Sequence, residues 1–303
     1  MSTSSGTKAI VAALVANIGI AATKFVAAAI SGSASMFAEA IHSVADSGNQ
    51  VLLIIGGRKS RKEASQSHPF GYGRQRYIYA FMVSIVLFSI GGLFSVYEGI
   101  QKLGHPHELE QAWLPLTVLG VSIVLESFSL RTALREVKKD RGDKTLIHYI
   151  RHAKAPELPV VVLEDIAALI GLVFAFAGVG LTVVTHNPIF DALGTLAIGA
   201  LLLAVAIVLG AETSSLLIGE GATIDDANAI AAALSGAAGV QSVIHMKTLY
   251  LGPDELMLGA KIAVDPTATA AQIAAVIDSA EVAVRTAVPA VRVIYLEPDI
   301  LRG

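Results

Sequence analysis

Cysteine is absent from this 303-residue sequence. That absence removes disulfides, thiolate nucleophiles and sulfur-rich metal sites together, so any metal must be held by imidazole nitrogen and carboxylate oxygen. Charge is scarce as well. Asp, Glu, Lys and Arg make up 16% of the residues against 54% hydrophobic, and the mean hydropathy of +0.65 lies far on the apolar side of a soluble protein. The chain reads as a membrane protein. A basic excess is also missing: the net charge of -3 and pI near 6.2, with no recognised reading module, exclude nucleic-acid binding. There is no H-E-x-x-H pairing, which speaks against an intramembrane metalloenzyme. The leading MSTSSGTK runs into a segment carrying Asn17 and Lys24 with no convincing cleavage site, so that segment reads as retained rather than as a signal peptide.

What the sequence does have is long apolar runs. A bilayer core takes about 20 apolar residues as helix, and six windows qualify: 9–30, 34–56, 77–100, 112–133, 158–184 and 189–211. Two connections are basic. One carries Arg58, Lys59, Arg61, Lys62, Arg74 and Arg76; the other carries Arg135, Lys138, Lys139, Arg141, Lys144, Arg151 and Lys154. The opposite loops, SGSAS, GHPHELEQ and THNP, have no lysine or arginine. The positive-inside rule therefore puts both termini in the cytoplasm. Residues 1–211 are expected to form a six-helix transmembrane domain, and 212–303 a small cytoplasmic α+β domain. In that tail IDDANAIAAALSGAAG reads as a helix, VQSVIHMKTLYLG and ELMLGAKIAV as strands around GPDE, TATAAQIAAVIDSAEVAVRTAV as a helix capped by Thr267 or Thr269, and VRVIYLEP as a last strand. The order is αββαβ.

The second window is the weakest by hydropathy because it opens on EAIHSVADSGNQ. Positions three and four apart share a helix face, so Glu39, His42, Asp46, Asn49 and Gln50 form one polar stripe. His42 and Asp46, one turn apart, can bring an imidazole nitrogen and a carboxylate oxygen onto a cation at roughly 2.0–2.2 Å. Asn49 and Gln50 read as interhelical glue. In the fifth window Glu164 and Asp165 interrupt an apolar run, at roughly 2.5–3.5 kcal/mol each on insertion scales. They need a positive partner, and Lys24 can neutralise just one acid. Adjacent helical positions point about 100° apart, so one of the two is expected to face the centre, and Asp165 is favoured. Glu98, Glu126 and Asp191 lie near segment ends or alone and are set apart from this site.

SGSASMFAEAIHSVADSGNQ, HPFGYGRQRY, FDALGTLAIG, GPDELMLGAKIAVDP and YLEPD resemble the cation diffusion facilitators, in particular the branch containing mammalian zinc transporter nine. The resemblance implies a six-helix protomer, a homodimer, a ferredoxin-like cytoplasmic domain and exchange of a divalent cation for protons, with no catalytic residues and no resident cofactor. It implies a ligand pair at His42 and Asp46 and a second pair at Val161 and Asp165. Valine cannot ligate, so Glu164 or water is expected to complete the shell. Zinc is the expected substrate, with manganese, iron and cobalt as alternatives for such nitrogen and oxygen donors, and a metal-sensing scaffold as a rival class. The family's loop site is reduced to His68 with Tyr72, and its tail site to His245 and Glu297 with Lys261 between, so both are expected to be degenerate. The expected location is a bacterial inner membrane.

Overall fold

A glycine breaks the first helix from the second. Gly32 sits at φ +66, a left-handed conformation that costs glycine little, and it separates α1 (Thr3–Ser31) from α2 (Ala34–Lys59). The computed structural model describes residues 3–105, 109, 111 and 113–301. The predicted loop GHPHELEQ and the residues flanking the chain's two ends lie partly outside them. The helices continue as α3 (Gln75–Val86), a π-helical stretch Leu87–Leu93, α4 (Phe94–Gly104), α5 (Trp113–Arg141), the short α6 (Leu146–His152), α7 (Glu157–Thr185) and α8 (Ile189–Ile218). Their buried core includes Met36, Leu87, Leu119, Leu172, Ile198 and Leu202.

Among the described residues, four helices are long and apolar enough to cross a membrane: Gln75–Gly104, Trp113–Lys139, Glu157–Thr185 and Ile189–Ile218. Four of the six predicted windows, the third to the sixth, are matched by these spans, and the first falls on the shorter apolar stretch Asn17–Ser31. The second window forms a helix of its own, but its polar stripe and the terminal Arg58 and Lys59 keep it from qualifying by composition. The helices overrun the predicted windows because backbone hydrogen bonding continues into polar ends that hydropathy does not count. The π-helical stretch was not foreseen. It falls where Gly91 and Gly92 let Leu202 and Leu203 approach so closely that a Cβ at Gly92 would come within 2.5 Å of Leu203 Cδ2, the close small-residue packing of membrane helices.

The chain divides into two compact units, one of residues 1–56, 79–151 and 157–213, the other of 57–78, 152–156 and 214–303. The second contains α9 (Ile224–Gly236), β1 (Ser242–Gly252), β2 (Glu255–Ala263), α10 (Ala270–Ala287) and β3 (Val291–Asp299). This is the predicted αββαβ order. Thr223 caps α9 by accepting from Asp226 N, and Thr269 caps α10 in a reciprocal box with Gln272. Thr267 instead donates to Asp265. β1 pairs antiparallel with β2, and β2 pairs parallel with β3, giving the sheet order β1-β2-β3. Leu256, Leu258, Ile262, Ile230, Leu234, Val284 and Ile294 bury one face.

The loop 57–78 belongs to this second unit. A Cβ on Gly73 would meet Leu251 O at 2.7 Å, so only glycine lets the backbone of HPFGYGR lie against the hairpin. Arg76 reaches Asp254 in the hairpin turn at 3.0 Å. Lys154 pairs with Glu220 and lies 5.4 Å above the Tyr250 ring. Burial pushes the Glu220 carboxyl up, but the hydrogen bonds donated by Lys154 and Ser215 outweigh it and hold the group below its ordinary value of 4.5. A depressed folded-state pKa stabilises above the unfolded value and is lost as pH falls through the folded one. Acidification below about pH 4.5 is therefore expected to loosen the backbone around Glu220, whose carbonyl accepts from Tyr250 N at 2.9 Å. Lys154→Met should move that loosening to higher pH, as read by hydrogen exchange.

Candidate cation site

The start of α2 is fixed from α8. Asp191 accepts hydrogen bonds from Ser33 Oγ (2.8 Å), Ala34 N (2.7 Å) and Ser35 N (3.2 Å), while its own N–H is satisfied by Thr182 Oγ1 (3.0 Å). A carboxylate that binds several otherwise orphaned donors at a helix N-terminus is a strong cap. Asp191, set apart by the sequence reading, is therefore part of the scaffold. α7 and α8 approach closely there: a Cβ on Gly178 would meet Phe190 O at 2.9 Å.

From that anchor the stripe on α2 turns inward. Glu39 is fully buried and takes the Lys24 ammonium at 3.1 Å, with Ser43 Oγ accepting from the same group at 2.8 Å. Lys24 is thus an internal counter-ion. Asn49 donates to Glu164 Oε1 at 2.6 Å, and Gln50 accepts from Asn17 at 3.4 Å. These two amides bridge α2 to α7 and to α1, the glue role expected of them. His42 is different. It is 1% exposed, and neither ring nitrogen has a hydrogen-bond partner. Its Nε2 lies 3.5 Å from Asp46 Oδ2, and Asp46 Oδ1 is likewise buried without a partner. Buried polar atoms are normally satisfied; Glu39 Oε1 and Asn49 Oδ1 also lack a partner, but those side chains each keep one hydrogen bond, whereas the His42 ring has none.

Beside it is a cavity of about 120 Å³, lined by Asp46, Glu126, Glu164, Asp165, Lys24 and Val161 among others. It is roomy enough for several water molecules. Both adjacent acids of α7 border it, whereas one was expected to. The cavity spans the space between α2 and α5, so faces about 100° apart both reach it: Glu164 leans to Asn49 on α2, and Asp165 accepts from Ser129 Oγ on α5 at 3.1 Å. Val161 contributes only an apolar wall. Glu126, which sequence reasoning leaves out, stands in the lining; one turn from Ser129, it shares that residue's face of α5. Glu98 is not part of the lining. Among the described residues no three His, Asp or Glu side chains already converge as a metal shell. Asp46, Glu164 and Asp165 border the space rather than close on one point, and His42 stands behind Asp46, 3.5 Å from its carboxylate.

Residues 10–218 match the model of the cation efflux transmembrane domain. The chain belongs to the cation efflux family. This is the membership that the motifs implied, and it makes the helical unit part of a family of membrane transporters. A proton-coupled zinc antiporter of Xenopus laevis, mitochondrial SLC30A9, is 34% identical over 244 residues, 80% of this chain and 44% of that protein. Metal tolerance protein C4 of Arabidopsis thaliana is 32% identical over 257 residues, 84% of this chain and 56% of its own length. The chain thus spans about half the length of these relatives. A solved structure, MamM-CTD 215-293, aligns with 25% of this chain and 95% of its own at 24% identity and a TM-score of 0.24.

The remaining family positions fall in the second unit. His68 Nδ1 lies 3.0 Å from Ser67 Oγ, and its ring stacks on Tyr72 with centroids 4.5 Å apart. His245, Lys261 and Glu297 are neighbours across the three strands. There Lys261 Nζ binds Glu297 at 2.8 Å and Asp299 at 3.3 Å. The cation between those acids is the protein's own, and the hydrogen bonds it donates to Glu297 and then Asp299 hold the ammonium pKa above its ordinary value.

Proposed function

We propose that this chain exports a divalent cation, Zn²⁺, from the cytoplasm in exchange for protons, as a homodimer with six membrane spans and a ferredoxin-like tail. The single observation that carries the reading is the unpartnered, buried His42 ring 3.5 Å from Asp46, whose carboxylate lines a cavity with three further acids. Leaving an imidazole and a carboxylate oxygen unsatisfied in a membrane interior is unfavourable unless a cation visits. Metal needs neutral imidazole and ionised carboxylates, so protons and metal compete for the same atoms. Alternating exposure of that site to the two sides then couples the two flows. Asp46, Glu164 and Asp165 with His42 form the binding set; the apolar Val161 leaves a coordination position to Glu164 or water.

The loose lining suits a cargo rather than a resident ion, since a transported ion must bind weakly enough to leave. The basic loops put both termini in the cytoplasm, and the membrane on this reading is a bacterial inner one, which fractionation of the expressed chain tests. Reconstituted full-length chain should take Zn²⁺ into proteoliposomes only when an opposing proton gradient is imposed, with lumenal alkalinisation as Zn²⁺ enters an acidic lumen. Competition by manganese, iron and cobalt ranks the alternatives. Zn²⁺ flux indifferent to the gradient would remove the antiport reading.

A further inference from the structure

Glu126 stands in the cavity wall with no part in the family's two ligand pairs. Its level along the helices can be worked out. Ser129 meets Asp165, Gly120 faces Phe176 and Gly180 faces Leu116, so α5 and α7 run antiparallel in a constant register. That register sets Glu126 beside Ala168 and Leu169 of α7. On the other side, Asn49 meets Glu164 and a Cβ on Gly171 would meet Glu39 Oε1 at 2.7 Å, so α2 is antiparallel to α7 too. Its register sets His42 at the same level, beside Ala168 and Leu169. Glu126 and His42 therefore stand at one level along the helices, a turn from Asp165, with Glu126 lining the cavity and His42 reaching it through Asp46. Val161 lies at the other end, a turn on the far side of Asp165.

From this arrangement, and resting on the transport reading above, we infer that Glu126 is a direct carboxylate ligand of the transported divalent cation. It adds a carboxylate, from the opposite end of the cavity, to a set that lacks a donor at Val161, and makes the site a three-helix one, drawing on α2, α5 and α7. The second observation that points to a cation, beyond the acids themselves, is His42: it is 1% exposed, both nitrogens are free of hydrogen bonds, and Nε2 faces the cavity-lining Asp46 at 3.5 Å. Lys24 does not occupy the role, because its ammonium is already bound by Glu39 and Ser43. Nor is Glu126 anchored elsewhere, since no hydrogen bond or ion pair ties it to another described side chain. A carboxylate at the level of the imidazole leaves the ion bound by one nitrogen and oxygens only, a donor set that first-row divalent ions accept.

The test measures initial Zn²⁺ uptake by proteoliposomes of the full chain against external Zn²⁺, with Zn²⁺ binding to detergent-solubilised protein followed by calorimetry. Glu126→Gln keeps the shape and removes the charge; it should raise the half-saturating Zn²⁺ concentration and the dissociation constant at least tenfold. Glu126→Asp keeps the charge and should stay within about threefold of the parent, as expected for ligand replacement rather than lost packing. In the Glu126→Gln background, Val161→Asp returns a carboxylate to the cavity and should recover at least part of the affinity. Unchanged affinity in Glu126→Gln overturns the assignment, and so does equal loss in Gln and Asp variants, which would mark a structural role. An Asp46→Asn control separates the two levels: if it too transports normally, the transport site itself is misplaced. If Asp46→Asn is inactive and Glu126→Gln is normal, only Glu126 falls.

Discussion

Zn²⁺ uptake into proteoliposomes should fall by at least about 100-fold when either His42 or Asp46 is replaced by alanine, beyond the 10–100-fold typical of losing an outer-shell partner. The argument is one of asymmetry. Truncating a buried side chain usually breaks a hydrogen bond and leaves its partner orphaned. Here the His42 ring has no hydrogen-bond partner to orphan, and among the described residues the polar partner of Asp46 is that ring at 3.5 Å. The Lys24–Glu39 pair one turn away, the Asn49–Glu164 bridge and the Asp191 cap all persist without them. Both variants should therefore keep the parent's elution profile in detergent and its thermal midpoint, while losing flux. Asp46→Asn, which preserves volume, should be as inactive as Asp46→Ala, because an amide offers the cation no charge. Normal flux in the alanine variants would end the assignment; lost flux with lost folding would reassign the pair to structure.

How much of this was legible in the sequence depended on which interactions are local. The stripe on α2 was legible because helical spacing is a property of one segment, and the cap of α10 was legible to within Thr267 or Thr269 because Thr269 acts on its own helix. The order of strands followed from alternation and from the GPDE turn. What the sequence could not resolve was contact between segments. Nothing near Asp191 announces that it serves Ser33, Ala34 and Ser35, more than 150 positions away in the chain. Glu126 looks isolated along α5, and only the antiparallel register with α7 brings it to the cavity. The two-acid question on α7 stayed open for a related reason: a 100° separation decides which side chain faces a single neighbouring helix, but the cavity is bordered by helices on both sides. Among the features left illegible, the roles of Gly73 and Gly92 are also encounters, with the hairpin and with α8 respectively.

Asp191→Ala is expected to have the largest effect on stability of any single change in the helical unit. Ser33 Oγ, Ala34 N and Ser35 N would lose their acceptor in a buried place, and an unsatisfied buried donor costs roughly 1–3 kcal/mol. Three of them come to on the order of 5 kcal/mol once relaxation is allowed, comparable with the whole stability of an ordinary domain at about 5–15 kcal/mol. The expected outcome is aggregation during solubilisation or a thermal midpoint lowered by well over 10 °C on the scaling of about 2–4 °C per kcal/mol for domains of this size. Asp191→Asn keeps one carbonyl oxygen and should recover about half of the loss. Transport should follow stability in both variants, for a mechanical reason: His42 is two turns from Ala34, so the cap that fixes the first turn also fixes where the imidazole stands. In whatever fraction stays folded, the half-saturating Zn²⁺ concentration should match that of the parent. A folded Asp191→Ala with unchanged midpoint but weakened Zn²⁺ affinity would place Asp191 among the ligands and detach it from the scaffold.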